Sequence, residues 1–379
     1  MTVETNASNS GPPPVVPSDQ TVIERLREEN AQLRRELQDL RGSVRDTAVS
    51  SSWKEQMAAG IGYSDGRSDT SAKGAWHILK QLSGIAKERV QTGKIRNSTV
   101  FPYLPTASSD QQKLEADFIR WGYCVVKDAM SPKQVQDQID RLTEQAAAER
   151  KLNKSIMTSG GQRAQLVNNL VLKGQIFRDT VEFKESAAQG GPLVDALLTK
   201  VMGEGFGLGC AHGSIVHEGG GLQDLHIDQG GIPHPYPPFP FGSLIIWCFT
   251  DFNLENGATY VVPGSHRTAD GKSIFDENAN LLEFIDGEPG LVAICAPPGS
   301  CILTDTRVLH GGGQRTAPGT RYAMRCHYNR HFIRALHEHS TANLHVPDDV
   351  YKLLSDRIKH MMGISVNNLK PIGELDNAD

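Results

Sequence analysis

The segment SLIIWCFTDF, residues 243–252, contains one of the longest apolar runs of the chain and is rich in β-branched and aromatic residues. This composition is typical of a buried β-strand. Four more short apolar segments follow, separated by turns that contain Gly or Pro; they are residues 258–262, 290–295, 300–304 and 321–331. The succession predicts a β-sandwich or barrel from about residue 205 onward.

The region before residue 205 has helical patterns instead. We predict helices at residues 111–121 and 131–149, with a strand at residues 122–126 between them. Ser131 is a favourable N-cap for the second helix, and the proline that follows it falls in the first turn, where proline is tolerated. A last helix is predicted at residues 348–361. Helices first and strands later predict a mainly β fold with a helical buttress.

The composition limits the class of protein. The chain has 379 residues and a net charge of −5, from 39 Lys and Arg against 44 Asp and Glu. This charge is too close to neutral to indicate a nucleic-acid-binding protein, and no apolar run approaches the roughly 20 residues that span a bilayer. Six dispersed cysteines without a C-x-x-C pair argue against a disulfide scaffold and a thiolate zinc site. Residues 1–21 contain no Lys or Arg, so we expect no secretory signal, and the protein is predicted to be cytoplasmic, with no nucleic-acid or membrane partner.

The N-terminal segment changes character at residue 21. Residues 1–20 are rich in Ser, Pro and Asn, and we expect them to be disordered. Residues 21–45 carry a heptad pattern of apolar residues with one polar a position. The a and d positions are Ile23, Asn30, Leu37 and Val44, and Leu26, Leu33 and Leu40. The pattern predicts a parallel coiled coil that makes a homodimer, with a single amphipathic helix as the alternative.

Two other functions of this helix fit the pattern less well. A DNA-binding zipper carries a basic helix directly before its heptads, but residues 11–21, GPPPVVPSDQT, contain no cation. The dipeptides Arg25-Leu26 and Gln32-Leu33 are similar to an N-terminal peroxisomal address, yet the heptads already account for both leucines. A peroxisomal location is therefore the lesser alternative to a cytoplasmic one.

Composition also gives the domain boundaries. Residues 46–100 combine a linker rich in Ser, Gly and Asp with one modest helix that we expect to pack on the main domain. The main domain is predicted to span residues 101–365. Residues 366–379 then form a C-terminal tail.

Two histidines and one carboxylate are the strongest chemical signal. In LHID, residues 225–228, His226 and Asp228 point to the same side of an extended strand. His310 follows a second strand region in DTRVLHGGG, residues 305–313. Two His and one carboxylate form the facial triad that leaves three positions of non-haem Fe(II) open. We therefore predict a metal site at these three residues, where the glycines after His310 allow backbone or ligand to approach closely.

An arginine adds to this pattern. Arg321 lies 11 residues after His310 (321 − 310), in a predicted strand that returns across the same barrel. Its guanidinium can bind a carboxylate through two hydrogen bonds, as the far end of 2-oxoglutarate requires. Arg325 lies on the same face of this strand and competes for the role. A surface position is the other alternative for Arg321.

Three stretches of the chain, together with the block from His310 to Arg321, have the order and spacing of a known family. The stretches are FIRWGYCVVKDAMSPKQV (residues 118–135), LHIDQG (residues 225–230) and ENGATYVVPGSHR (residues 255–267). Through them the chain resembles the phytanoyl-CoA dioxygenase family of Fe(II)/2-oxoglutarate-dependent oxygenases over residues 110–335. The resemblance implies a double-stranded β-helix core of the jelly-roll or cupin-like kind, with iron at its open mouth. It also implies Fe(II) as cofactor and 2-oxoglutarate and O2 as co-substrates.

The resemblance assigns roles to individual residues. The two histidines and the aspartate of the triad match the iron ligands of the family, and Arg321 matches its clamp on the distal carboxylate of 2-oxoglutarate. Gln223 resembles a glutamine that fungal biosynthetic members place near the co-substrate. Thr259 is a candidate for a further hydrogen bond to the distal carboxylate. The alternatives are a strand-edge amide for Gln223 and ordinary β-propensity for Thr259.

The implied activity is the oxidation of a small organic molecule. The family converts 2-oxoglutarate to succinate and CO2 and removes hydrogen from a substrate C–H bond, which is then hydroxylated or otherwise oxidised. Residues 229–242, QGGIPHPYPPFPFG, place an apolar wall beside the iron ligands and predict a lid, with a rigid surface or subunit-contact loop as the alternative. This wall favours an apolar or amphipathic, natural-product-like substrate. An acyl-CoA 2-hydroxylase and a non-catalytic dimeric scaffold are the alternative functions.

Overall fold

The computed structural model describes most of the predicted main domain. The described stretches are residues 94–158, 162–223, 225–229, 239–266, 284–285, 288–333 and 346–364. The predicted disordered segment, the coiled coil, the linker helix and the C-terminal tail lie outside the described residues. Most of the predicted lid lies outside them too, since it includes residues 230–238.

The described chain contains thirteen short strands. They are β1 (Arg96–Asn97), β2 (Tyr123–Val126), β3 (Ile156–Thr158), β4 (Ala164–Val167), β5 (Gly207–His217), β6 (Gly242–Cys248), β7 (Thr259–Val261), β8 (Phe284–Ile285), β9 (Glu288–Pro289), β10 (Val292–Ala293), β11 (Cys301–Asp305), β12 (His310–Gly312) and β13 (Thr320–Asn329). A larger sheet has the order β2-β11-β6-β13-β5-β4-β3, a smaller one has the order β1-β10-β7-β12, and β8 pairs with β9. The prediction of a mainly β fold is confirmed.

The two sheets form a sandwich. From β6 to β13 the chain crosses repeatedly between them, since β6, β11 and β13 belong to the larger sheet and β7, β10 and β12 to the smaller one. A hydrophobic cluster joins the layers and includes Ile246 and Ile302 from the larger sheet and Val261 and Val292 from the smaller. Two packed sheets joined in this way have the architecture of a jelly roll.

Helices cover the outer face of the larger sheet. Those described are α1 (Gln111–Trp121), α2 (Pro132–Lys151), α3 (Gln175–Val181), α4 (Gly191–Met202), α5 (Asp348–Tyr351) and α6 (Asp356–Met361). Side chains of β6 alternate between the two faces: Ile245 and Trp247 pack with the helices, whereas Leu244 and Ile246 point into the sandwich. No helix in the described part of the chain has both the length and the apolar character that crossing a bilayer requires.

The ends of the first two helices follow from their capping residues. The side chain of Asp110 accepts hydrogen bonds from two main-chain N–H groups of α1, and Gly122, at a φ of 78°, ends that helix. Ser131 caps α2 in a capping box with Gln134. The predicted positions of both helices are confirmed, except that α2 runs two residues further.

Two predicted boundaries differ from the structure. The closing helix predicted at residues 348–361 is instead two short helices, α5 and α6. Ser355 lies between them and starts α6, because its side chain accepts a hydrogen bond from the main-chain N–H of Ile358. The smaller sheet begins before residue 101, since β1 pairs in parallel with β10.

The sequence pattern did not predict strands β3, β4 and β5. The longest, β5, reads GLGCAHGSIVH and contains three glycines, which have low β-propensity. One of them, Gly213, serves packing, because a Cβ there would lie 2.3 Å from Cδ1 of Leu142 on α2. Close approach of this helix to the sheet therefore explains a residue that weakens the strand signal.

Candidate active site

The main chain brings the two predicted metal-binding histidines together. His226 donates from its backbone N–H to the carbonyl of His310 at 2.8 Å, and His310 returns the bond at 2.9 Å. This isolated antiparallel bridge places the centres of the two imidazole rings 4.5 Å apart. Asp228 follows two residues after His226, so its side chain points to the same side.

The three side chains converge on one point. Nε2 of His226 lies 3.4 Å from Oδ1 of Asp228, and Nε2 of His310 lies 3.4 Å from Oδ2. The three candidate ligand atoms lie within 4.8 Å of one another. Ligand–metal bonds of about 2 Å place neighbouring ligand atoms about 3 Å apart. The arrangement therefore fits one small cation.

The hydrogen bonds leave the ligand atoms available. Nδ1 of His310 lies 3.0 Å from the carbonyl of Val308. A proton on Nδ1 that is donated to this carbonyl leaves the lone pair of Nε2 directed at Asp228. Oδ2 of Asp228 is buried and accepts no hydrogen bond from the described residues. A buried carboxylate oxygen of this kind is suited to a metal ion.

Local electrostatics set the charges of the site. Burial disfavours ionisation of Asp228, but the imidazoles of His310, His327 and His226 outweigh it and hold the pKa of this carboxyl far below its usual value. Burial lowers the pKa of His310 and so favours its neutral form, although the charge of Asp228 acts in the opposite direction. An ionised carboxylate and neutral imidazoles are the forms that ligate metals.

A cavity of about 300 Å³ contains the triad. One wall is the inner face of the larger sheet, where alternate residues of β5 and β13 point into the cavity. The six predicted site residues all line it; they are His226, Asp228, His310, Arg321, Gln223 and Thr259. The structure therefore brings together every residue that the sequence singled out for the site.

The guanidinium of Arg321 is buried without a polar partner. Its residue is only 1% exposed, and none of its three side-chain nitrogens donates a hydrogen bond to the described residues. Its Cζ lies 5.2 Å from the centre of the Phe252 ring, a distance that fits a cation–π contact. Burial, and then the charge of Arg325, lower the pKa of Arg321 to about 9. A buried cation in this state needs an anion.

Gln223 and Thr259 lie on either side of Gly312. Oε1 of Gln223 accepts a hydrogen bond of 2.9 Å from the main-chain N–H of Gly312. The amide nitrogen of Gln223 is therefore the atom that can donate to a ligand. Thr259 is opposite Gly312 in the register of β7 and β12 and is 3% exposed. Both positions are compatible with donors to the co-substrate.

One histidine that approaches Asp228 was not predicted. His327 lies on the inner face of β13, and its Nε2 is 3.4 Å from Oδ2 of Asp228. The signal was present in the sequence, because residues 321, 325 and 327 differ by even numbers and share one face of a strand. The same alternation places Arg325 in the cavity wall. The predicted common face of Arg321 and Arg325 is confirmed.

Replacement of Gly312 by Ala tests how tightly the cavity is built. A Cβ there would lie 2.6 Å from the carbonyl oxygen of Gly221 and 2.7 Å from Oε1 of Gln223. Overpacking of this kind should lower the free energy of unfolding by about 1–3 kcal/mol, as measured by urea denaturation. Gly207→Ala is the control, because its nearest atom, the carbonyl oxygen of Met361, lies at 3.1 Å. Equal losses for the two variants would contradict the tight packing.

The fold and the cavity together define a class of enzyme. A jelly roll that gathers two histidines, one carboxylate and a buried arginine has the parts of a non-haem iron oxygenase that binds a dicarboxylate co-substrate. The family model of phytanoyl-CoA dioxygenase (PhyH) matches residues 118–323. The chain belongs to this family.

Proteins with similar sequences include fungal dioxygenases. The chain is 28% identical to the multifunctional dioxygenase prhA of Penicillium brasilianum over 271 residues, which cover 68% of this chain and 83% of that protein. It is 26% identical to the dioxygenase FrzG of Cladobotryum sp over 283 residues, which cover 69% and 86%. A solved structure, EctD from S. alaskensis with bound Fe, aligns with a TM-score of 0.46 and 20% identity over 60% of this chain and 80% of that one.

The protein is thus an Fe(II)/2-oxoglutarate-dependent dioxygenase, which uses Fe(II), 2-oxoglutarate and O2. The residues present fit these groups. The donor set of two imidazoles and one carboxylate suits Fe(II). The unpartnered guanidinium of Arg321 suits one carboxylate of 2-oxoglutarate.

Proposed function

We propose that this dioxygenase oxidises a C–H bond of a small organic molecule that is apolar or amphipathic and natural-product-like. Hydrogen is removed from that carbon, which is hydroxylated or otherwise oxidised, and succinate and CO2 are released. One observation carries the proposal: the triad and the unpartnered guanidinium of Arg321 line the same cavity.

Each side chain has a role in this proposal. His226, Asp228 and His310 hold Fe(II), and Arg321 holds the distal carboxylate of 2-oxoglutarate. When bound there, Fe(II) and 2-oxoglutarate would supply the O2 chemistry by which a hydrogen is removed from the substrate. Asp228 neutralises part of the metal charge, and the neutral imidazoles supply lone pairs without adding charge.

Two further groups help to place the co-substrate. Gln223 is fixed by its bond to Gly312, which leaves its amide N–H groups to donate to a bound carboxylate. Thr259 adds a hydroxyl donor from β7. Several fixed donors reduce the freedom of a bound dicarboxylate and thus favour one productive geometry.

Apolar walls support the proposed substrate class. Leu166, Leu222, Leu244 and Ile246 line the cavity. Outside the cavity lining, Phe239 and Phe241 precede β6 and Phe332 follows β13; the three rings make edge-to-face contacts with centres 5.7 and 5.8 Å apart. Phe239 and Phe332 are 39% and 56% exposed, so they can contact a ligand. Apolar side chains of this kind stabilise a bound substrate whose apolar surface they bury.

The acyl-CoA 2-hydroxylase stays as the second candidate, because the matching family model carries the name of that reaction. The two candidates differ in what binds at the cavity mouth. A CoA ester brings several phosphates, whose tight binding requires clustered Lys and Arg. Competition by free CoA in the assay below would favour this candidate.

Succinate release tests the proposed function. The full-length protein is incubated with Fe(II), 2-oxoglutarate, O2 and a panel of small apolar acids, amides and esters, and succinate is quantified against each substrate. We expect succinate to form in proportion to oxidised product for at least one compound. Absence of any metal-dependent consumption of 2-oxoglutarate, with or without a substrate, would contradict the assignment.

We also propose that residues 21–45 join two chains as a parallel coiled coil. The support is the heptad pattern with Leu at every d position. Deletion of residues 1–50 should convert the dimer to a monomer in sedimentation velocity and should leave metal binding unchanged. An identical assembly state for the truncated and full-length chains would show that the heptads do not hold the dimer.

A cytoplasmic location is a further proposal. Five of the six cysteines are buried free thiols, and the sixth, Cys295, is half-buried. Free thiols dispersed in a core are typical of proteins from reducing compartments.

A further inference from the structure

Arg325 is a second arginine in the wall of the cavity. It lies four residues after Arg321 on β13, and alternate residues of this strand point inward. Its neighbours across the sheet are His212 on β5 and Ile246 on β6, both of which line the cavity. The strand rise of about 3.3 Å per residue separates the main-chain positions of the two arginines by about 13 Å. Arg325 is therefore a separate group from Arg321.

Arg325 has no partner among the described residues. Its Nε is buried without a hydrogen bond, and no described carboxylate lies within ion-pair distance of its guanidinium. Asp228 is the acidic group that acts on it at longer range. The oxygens of Asp228, however, are already approached to 3.4 Å by three imidazoles. A structural ion pair with Asp228 therefore does not account for Arg325.

The buried arginines outside the cavity all have hydrogen-bond partners. Arg178 donates to the carbonyl of Val171 and to Gln175. Arg307 forms a two-pronged ion pair with Asp305, and Arg315 donates to Asn256 and to main-chain carbonyls. Within the described chain, the two arginines of the cavity stand apart from this pattern. Arg325 is partly exposed, and of its three side-chain nitrogens only Nε is buried without a hydrogen bond. A guanidinium that lines a cavity without a partner in the described chain is placed to bind an anionic ligand there.

The charges of the loaded site leave room for one more anion. Fe(II) with ionised Asp228 carries one net positive charge, and the two guanidiniums, which stay protonated at neutral pH, add two more. Doubly charged 2-oxoglutarate balances two of these three. One positive charge is left over in a partly enclosed cavity, where an anionic group of the substrate would balance it.

We propose that Arg325 binds a carboxylate of the substrate, so that the substrates of this enzyme are amphipathic organic acids. The inference rests on the proposed function and names its substrate class. The carboxylate lies against Arg325, and the apolar body of the acid lies along Leu244 and Ile246 in the same wall. Arg325 thereby also fixes which carbon of the acid faces the metal ligands.

Binding of matched probes tests this proposal without turnover. Full-length protein is loaded with Ni(II) in place of Fe(II) and saturated with 2-oxoglutarate, and 4-phenylbutanoate and 4-phenylbutanamide are titrated by calorimetry. The wild type should bind the acid about tenfold or more tightly than the amide, because a charge-assisted hydrogen bond is lost in the amide. Arg325→Gln should abolish this preference, and Arg325→Lys should retain only part of it. Arg120→Gln, which removes an exposed charge on α1, should bind both probes as the wild type does.

The affinity for 2-oxoglutarate shows whether Arg325 binds a carboxylate of the substrate or one of the co-substrate. Arg325→Gln should bind 2-oxoglutarate within about threefold of the wild type, since its distal carboxylate is assigned to Arg321. This binding also shows that the variant is folded. A loss of 2-oxoglutarate affinity equal to that of Arg321→Gln would make Arg325 a co-substrate residue and overturn the proposal.

Three further outcomes would overturn either the proposal or the proposed function. A wild type that binds acid and amide equally, or an Arg325→Gln variant that keeps the preference, overturns the proposal while the dioxygenase assignment stands. If Arg325→Gln does not fold, the binding of acid and amide by Arg325→Lys tests the proposal instead. A preference for the acid in Arg325→Lys that is as large as that of the wild type counts against a bidentate contact. Failure of the wild type to bind 2-oxoglutarate with Ni(II) would instead refute the proposed function.

Discussion

Replacement of Asp228 by Ala is expected to eliminate metal-dependent 2-oxoglutarate turnover. The substitution removes the anionic ligand and leaves two imidazoles, 4.5 Å apart between ring centres, with no charge to offset a divalent cation. Succinate formation should fall by about 10³-fold or more, because the metal is no longer held in a fixed, open geometry. Calorimetric titration with Ni(II) should show the same loss as a reduced metal affinity.

A surface carboxylate provides the control for this variant. Asp137 on α2 pairs with Lys133 at the surface of the described chain, and Asp137→Ala should leave both metal affinity and succinate formation unchanged. His226→Ala and His310→Ala should reproduce the effect of Asp228→Ala. Retained Ni(II) affinity in Asp228→Ala would show that the metal is bound elsewhere.

Replacement of Arg321 by Met is expected to weaken 2-oxoglutarate binding and yet stabilise the unliganded protein. Loss of a buried guanidinium partner should raise the Kd for 2-oxoglutarate by about 100-fold. Without co-substrate, the wild type carries a desolvated and unpartnered charge, whose replacement by an apolar side chain should add about 1 kcal/mol or more to the free energy of unfolding. Urea denaturation with and without 2-oxoglutarate measures both effects.

At a buried arginine that has hydrogen-bond partners, replacement by Met should change the free energy of unfolding in the opposite direction. Arg178 donates hydrogen bonds at 3.1 and 3.2 Å, so Arg178→Met should lower the free energy of unfolding and leave 2-oxoglutarate affinity unchanged. Saturating 2-oxoglutarate should stabilise the wild type and Arg178→Met by mass action, but not Arg321→Met. If Arg321→Met binds 2-oxoglutarate as the wild type does, the role assigned to Arg321 is wrong, and Arg325 becomes the candidate clamp.

The candidate site was predictable because its residues obey local rules. The i, i+2 spacing of His226 and Asp228 fixes their common direction in any extended segment. The approach of His310 depends on pairing between remote segments, which no local pattern specifies. The ligand set of a facial triad suggested this histidine, and the resemblance to a known family agreed with it. His327 followed the same rule of alternation from Arg321, and only the structure showed that this face reaches Asp228.

The fold was predictable where propensity and packing agree. The helical pattern of α1, the capping residue Ser131 of α2 and the apolar runs of β6 and β11 gave these elements directly. Strand β5 was hidden because Gly213 serves the contact with Leu142 rather than the strand. The break between α5 and α6 was not predicted, because the cap at Ser355 interrupts a pattern that is otherwise helical.

The most direct test is a crystal structure of the protein with Ni(II) and 2-oxoglutarate. We expect one metal ion, ligated by His226, Asp228 and His310, and one carboxylate of 2-oxoglutarate in contact with the guanidinium of Arg321. A metal held by any other set of side chains, or 2-oxoglutarate bound away from Arg321, would contradict the account.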